Sequence, residues 1–254
     1  MRRLGPAFIG MVLLMLLGCA PRADGASGRA TDTAFPLRRV VDVPVEVAGA
    51  SVEDTALAVP DLGTVYASAT GANQVAVIDV RPLTIIARIP GGTYPDGIAY
   101  DPVEHKIFVS DETGGTDTVI DLRTNTRVAT IDLGGEVGNT QYDPVSRRIF
   151  ADVQTRNDLV AIDPVADRIV DRYPLQGCQH DHGLLLDGAR RLAFVVCDGN
   201  AKLLVVDLRS MRVRSVFPVG QDPDVLAFDE GLHRLYVSSE SGWLACFKSV
   251  AAIL

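Results

Sequence analysis

The sequence predicts an all-β chain, a β-propeller of four-stranded antiparallel blades with about five blades visible, on three observations. First, Ile98-Ala-Tyr-Asp-Pro102 recurs as Thr140-Gln-Tyr-Asp-Pro144, Leu184-Leu-Leu-Asp-Gly188 and Leu226-Ala-Phe-Asp-Glu230. Its aspartates stand at 101, 143, 187 and 229, spaced by 42, 44 and 42 residues. Second, Val77-Ile-Asp79, Val119-Ile-Asp121, Ala161-Ile-Asp163 and Val205-Val-Asp207 keep nearly the same period, with spacings of 42, 42 and 44. Third, nothing beyond residue 20 sustains the apolar period of a helix. Two anchors moving together at one period mark a repeat array.

Each period holds four short runs rich in Val and Ile, separated by turn residues. In the second repeat these are Gly97–Tyr100, Lys106–Ser110, Asp117–Asp121 and Arg127–Leu133. Four antiparallel strands in some forty residues is the content of a propeller blade. The repeated aspartates are expected to order their own turns through side-chain to backbone hydrogen bonds. Counting gives blades at about 48–90, 91–133, 134–176, 177–219 and 220–248, the last stopping at its third strand, Trp243–Phe247. An unpaired strand edge is a liability. The early run Leu37–Val47 is a candidate fourth strand that closes five blades; an incomplete ring is the other reading.

The N-terminus reads as an export signal. Arg2 and Arg3 precede a short apolar run, Ala7–Leu17, too short to span a bilayer and the right length for a signal peptide. Leu16-Leu17-Gly18-Cys19 resembles a bacterial lipobox, in which the cysteine is acylated and becomes the new N-terminus. Cleavage beyond Ala20, with Cys19 discarded, is the alternative. The expected organisation is a lipoprotein signal peptide over 1–18, a flexible tether over 19–36 and a propeller over 37–254. This places the chain in the periplasm or cell envelope, with the membrane as one partner through the lipid anchor. The net charge of −8, with no Lys/Arg-rich run, argues against nucleic acid as another.

In a propeller the loops leading into the innermost strands gather at one mouth of the central channel. Aligned on the first repeated aspartate, the position five residues earlier holds Ala56, Asp96, Gly138, His182 and Asp224. The position seven residues earlier holds Asp54, Tyr94, Glu136, His180 and Asp222. So many ionisable groups at equivalent positions make this mouth the candidate site, with Asn139 beside it, although solvated loops also tend to be polar. His180 and His182 are the candidate ligands of a divalent metal. Carboxylates alone would suit Ca²⁺, and imidazole with carboxylate would suit Zn²⁺ or Cu²⁺. Export favours a disulfide between Cys178 and Cys197, which the turn at Asp187–Arg191 brings opposite one another; thiolate metal ligation is the competing reading. Cys246 reads as a core thiol, Glu112 as an ordinary loop residue, and Arg209, Arg212 and Arg214 as a solvated face. No serine lies in a nucleophile-elbow context.

Val65-Tyr-Ala-Ser68, Phe108-Val-Ser110 and Leu235-Tyr-Val-Ser238, each before a Val-Ile-Asp-like strand, resemble YVTN repeats. Tyr94-Pro-Asp-Gly97 and Gly220-Gln-Asp-Pro-Asp224 are similar to segments of the bacterial exported YncE-like propellers. The resemblance implies a propeller over 37 to about 247. Members of that family usually close near seven blades, so on this comparison the chain is a shortened member or an incomplete seven-bladed ring. The expected function is a binding or scaffold module for a protein or small molecule, with a cation or metal site at the mouth. The alternatives are a metal-dependent lactonase-like hydrolase, for which Asn139 is the one candidate amide ligand, and a copper- or zinc-handling periplasmic protein.

Overall fold

The computed structural model describes residues 55–248, all within the second of the chain's two units, Val40–Leu254. The signal-peptide and tether expectations, Cys19 and the proposed strand at 37–47 lie outside the described residues. Within them the chain is a β-propeller array of antiparallel sheets in sequence order. Blade 1 is β1 (Ala56–Val59), β2 (Thr64–Ala69), β3 (Gln74–Asp79) and β4 (Thr84–Pro90). Blade 2 is β5 (Pro95–Asp101), β6 (Lys106–Asp111), β7 (Thr116–Asp121) and β8 (Thr126–Asp132). Blade 3 is β9 (Val137–Asp143), β10 (Arg148–Val153), β11 (Asp158–Asp163) and β12 (Arg168–Pro174). Blade 4 is β13 (Asp181–Asp187), β14 (Leu192–Cys197), β15 (Lys202–Asp207) and β16 (Arg212–Pro218). Blade 5 has three strands, β17 (Pro223–Asp229), β18 (Arg234–Ser239) and β19 (Trp243–Lys248).

The turns explain why the two aspartate anchors repeat. Asp101 accepts the Val103 N–H at 2.8 Å, Asp121 that of Arg123 at 2.7 Å, and Asp207 that of Arg209 at 2.8 Å. Four residues past such an aspartate the backbone turns left-handed, at His105, Asn125, Arg147, Asp167, Arg191, Met211 and His233. The carboxylate takes the N–H groups that the tight turn would otherwise leave without partners. Some of these turn residues also tie blades together. Arg191 grips the buried carboxylate of Asp143, 2.6 Å away, from the next blade, and Lys106 meets Asp167 at 2.7 Å. Arg214 is exposed, as the solvated-face reading expects, and it also has a structural role. It clamps Asp207 and, with the Arg209 and Ser210 N–H groups, lowers that carboxyl to about 2.

The core lies between the blades. Middle strands are apolar on both faces because each sheet is covered by a neighbour on either side: Ile107, Phe108 and Val109 are all buried. Phe108 and Val119 of blade 2 pack on Ile149, Val160 and Ile162 of blade 3. Phe150 and Leu159 of blade 3 pack on Leu184, Val195 and Leu204 of blade 4. Each fully buried aliphatic side chain contributes about 1.5–3 kcal/mol, so every blade depends on the next. The series is not closed into a ring among the described residues: inner strands touch in the order β1, β5, β9, β13, β17, without a comparable contact from β17 back to β1. Blade 5 shows the consequence. Leu244 on β19 is 53% exposed, whereas its equivalents Val75, Leu159 and Leu203 are at most 1% exposed.

Inner strands approach closely enough to exclude a side chain. A methyl group on Gly183 of β13 would collide with the Asp224 carbonyl of β17, and one on Gly138 of β9 with the His182 carbonyl. Gly183→Ala is therefore expected to destabilise the protein by about 1–3 kcal/mol in urea unfolding. Gly188→Ala, where the nearest atom would be 3.7 Å away, is expected to stay within about 0.5 kcal/mol of the parent.

Candidate functional site

The mouth side chains are aimed by a recurring irregularity. Between Pro95 and Ile98, β5 carries one residue more than the facing stretch of β6, and β17 does the same between Pro223 and Leu226. In β13 the extra residue lies between Asp181 and Gly183, and β9 shows the same register shift opposite Ala151 and Val153. These β-bulges fall on Asp96-Gly97, Gly138-Asn139, His182 and Asp224-Val225. A bulge takes its residues out of the regular alternation and re-aims them, here at the channel end of every inner strand from blade 2 to blade 5.

His182 is the centre of the set. Its Nε2 lies 3.2 Å from Asp224 Oδ1 on the next blade. Burial by itself would lower the imidazole, but the Asp224 hydrogen bond and charge, with the charges of Glu112 and Asp96, override it and hold the ring up at about 9. The acids around the ring therefore favour its protonated form, while its buried Nδ1 has no hydrogen-bond partner. Glu112, in the turn after β6, is pushed up by burial; His182 opposes that shift, while Asp96 and Glu136 add to it. Gln154, fully buried, donates to Glu112 at 3.4 Å and to the Val137 carbonyl at 3.2 Å. Thr55 donates to Asp96 at 3.1 Å.

His180 sits beside this set with different partners. Its Nδ1 lies 2.8 Å from Asp198 and its Nε2 3.7 Å from Glu136. Its backbone N–H donates to Asn157 Oδ1 of blade 3 at 2.6 Å, as that of Tyr94 donates to Asn73 at 3.0 Å. His180, Tyr94 and Asp222 all hold left-handed backbone, so this repeat position is first a turn position. Asp222 is exposed on its turn, its carbonyl accepting the Glu240 N–H. Asn139 leans on blade 2, its Oδ1 2.8 Å from where a Gly97 methyl would stand.

Cys178 and Cys197 are joined by a disulfide, with Cα atoms 5.5 Å apart. It closes a sequence separation of 19 residues, worth about 3 kcal/mol, and ties the loop carrying His180 to β14. Both sulfurs are thereby removed as thiolate ligands. Cys246 is half-buried on β19. Among the described residues no three His, Cys, Asp or Glu side chains are grouped to hold a metal. His180 and His182 are each engaged by carboxylates of different blades.

The sequence reading set Glu112 aside as a loop residue, and passed over Gln154. The usable signal was topological: the turn between second and third strands lies at the same blade end as the loop into the inner strand. Glu112 N donates to the Tyr94 carbonyl at 2.8 Å, which fixes it at the mouth.

No family model and no curated protein matches the chain. Among solved structures it is similar to a chain of Kuenenia stuttgartiensis hydrazine synthase, with 16% sequence identity and a TM-score of 0.63. The match covers 70% of this chain and 53% of that one, so this chain spans about half its length. The likeness supports the propeller fold. At this identity it carries nothing about activity.

The ion pair at the mouth has a measurable signature. A histidine raised from about 6.5 to about 9 adds stability that is complete below pH 6.5 and lost as the pH rises through 9. NMR titration is expected to show His182 titrating near 9. In Asp224→Asn its midpoint should drop by at least about one pH unit, and the loss of stability between pH 6.5 and 9 should shrink.

Proposed function

We propose that this chain is a binding propeller held at the cell envelope, and that its mouth takes the cationic group of a ligand. The observation that carries the reading is the set of acids around His182, with Asp224 Oδ1 3.2 Å from its Nε2. Three acids surround its half-buried imidazole, Asp96 and Glu112 of blade 2 and Asp224 of blade 5, and together they make the local field strongly negative. Protonated His182 offsets one of those charges. Glu136 adds another at the exposed rim. A positive ligand group entering there meets pre-positioned acceptors in a partly desolvated setting, where charge-assisted hydrogen bonds are strongest.

The resemblance to YVTN and YncE-like exported propellers agrees with a binding role. The N-terminal Arg2, Arg3 and apolar run ending at Cys19 support export and lipid anchoring. Metal-dependent hydrolysis finds no support, because Asn139 is turned onto Gly97 and the acids at the mouth surround an imidazole.

Two experiments test this reading. Calorimetric titration with arginine amide, a small dication, is expected to give binding that weakens with salt and falls about tenfold in Asp96→Asn or Glu112→Gln, the loss of one charge-assisted contact. Equal binding of N-acetylcitrulline amide, which carries no charge, or indifference to both substitutions, would refute a cation site. Labelling of cells with a radioactive fatty acid is expected to mark the protein and to fail for Cys19→Ala. Unlabelled parent protein would remove the anchor.

A further inference from the structure

Beneath the mouth, between blades 3 and 4, two acids are buried without partners. Asp152 lies next to the end of β10 and Asp181 opens β13. Both residues are 0% exposed, and none of their four carboxylate oxygens makes a hydrogen bond. The Asn139 and Val153 N–H groups point towards them, short of hydrogen-bond geometry. An unsatisfied buried polar group costs about 1–3 kcal/mol, and more when charged, so four such oxygens at one place need an explanation.

Burial dominates the chemistry of both acids. Burial first, then the Asp181 charge, push the Asp152 carboxyl well above the usual carboxylate range, with Asp96 adding to the rise. Burial raises Asp181 to about 7, with Asp158 adding to the rise and His180 opposing it. Yet no hydrogen bond joins the two carboxyl groups, so they do not share a proton. Buried carboxyl oxygens that make no hydrogen bond are the donors a hard cation uses, at about 2.3–2.6 Å from it. Gly138 lets these oxygens converge: the point where its methyl group would stand is 2.8 Å from Asp152 Oδ1 and is already occupied by the His182 carbonyl.

We propose that Asp152 and Asp181, with the His182 carbonyl, form a buried site for one hard divalent cation of the Ca²⁺ class. The donors are all oxygen, which disfavours soft metals. Two carboxylates balance a double positive charge. With only two acids present, backbone oxygens and water complete the shell, an irregular arrangement that Ca²⁺ accepts and the strictly octahedral Mg²⁺ does not. The ion would join β10 to β13 where blades 3 and 4 meet, under the bulge that aims His182. This site is separate from the mouth, and neither proposal depends on the other.

Equilibrium dialysis of the full-length protein against ⁴⁵Ca²⁺, with thermal melts alongside, tests the site. One bound equivalent is expected, with a melting temperature that rises with Ca²⁺ but not with Mg²⁺ at the same concentration. Asp152→Asn and Asp181→Asn, near-isosteric and uncharged, should each abolish both effects, while Glu230→Gln, on an exposed turn of blade 5, should keep them. Absence of binding by the folded parent, or binding that survives both Asn substitutions, would overturn the proposal. So would an Asp152→Asn variant more stable than the parent in saturating Ca²⁺ at pH 8, which would mark the acids as protonated. Should either variant fail to fold, the parent dialysis and the Ca²⁺-against-Mg²⁺ melts still decide.

Discussion

The inner strands of neighbouring blades meet so closely at the mouth that backbone packs on backbone. Gly183 faces the Asp224 carbonyl and Gly138 the His182 carbonyl, each without room for a methyl group. This approach sets how far apart the blades stand, and with it whether Phe108 can fill the space against Ile149, or Phe150 that against Leu184. Interiors at crystal-like packing density do not absorb such a shift without loss. The same approach brings carboxylates of separate blades within electrostatic reach of one imidazole. Fold and site therefore rest on one constraint.

Charge is arranged in layers along these strand ends. At the rim, His180 is shared between Asp198 and Glu136, in water's reach. Further in, Asp224, Glu112 and Asp96 favour the protonated form of His182. Deeper still, Asp152 and Asp181 have no countercharge of comparable closeness, and burial dominates their chemistry. Blade 2 offers a contrast. There Asp111 is also buried, but accepts from Gly92 N, Thr116 and Thr118 at 2.7, 2.8 and 2.8 Å. A carboxylate satisfied by neutral donors needs no ion; the blade 3–4 pair lacks such donors.

Blade 5 shows what stacking supplies by what it lacks. Its sheet has no fourth strand among the described residues, and Trp243 and Leu244 on β19 are 70% and 53% exposed. In blades 1, 3 and 4 the residue equivalent to Leu244 is buried beneath a paired outer strand. The apolar pattern of β19 is that of a third strand, although the surroundings that would bury it are missing from the described residues.

The sequence by itself determined the blade. Strand positions in the second repeat, such as Lys106–Ser110 against the observed Lys106–Asp111, follow from local patterning. The Asp anchors follow from turn chemistry that acts within three residues. It also put Asp96, His182 and Asp224 at the same end of their inner strands, because equivalent positions in a repeat must fall at equivalent places. Tertiary structure decided what those positions do. The bulges arise from pairing between strands, and make His182 a partner of Asp224 while His180 keeps a turn position. Glu112 and Gln154 reach the mouth from a second strand end, invisible to an alignment on inner strands. Asp152 and Asp181 come near one another only where two blades meet, since they stand 29 positions apart in the chain. Local order was legible because it is written in neighbouring residues; the charge pairing was not, because it depends on distances that only packing sets.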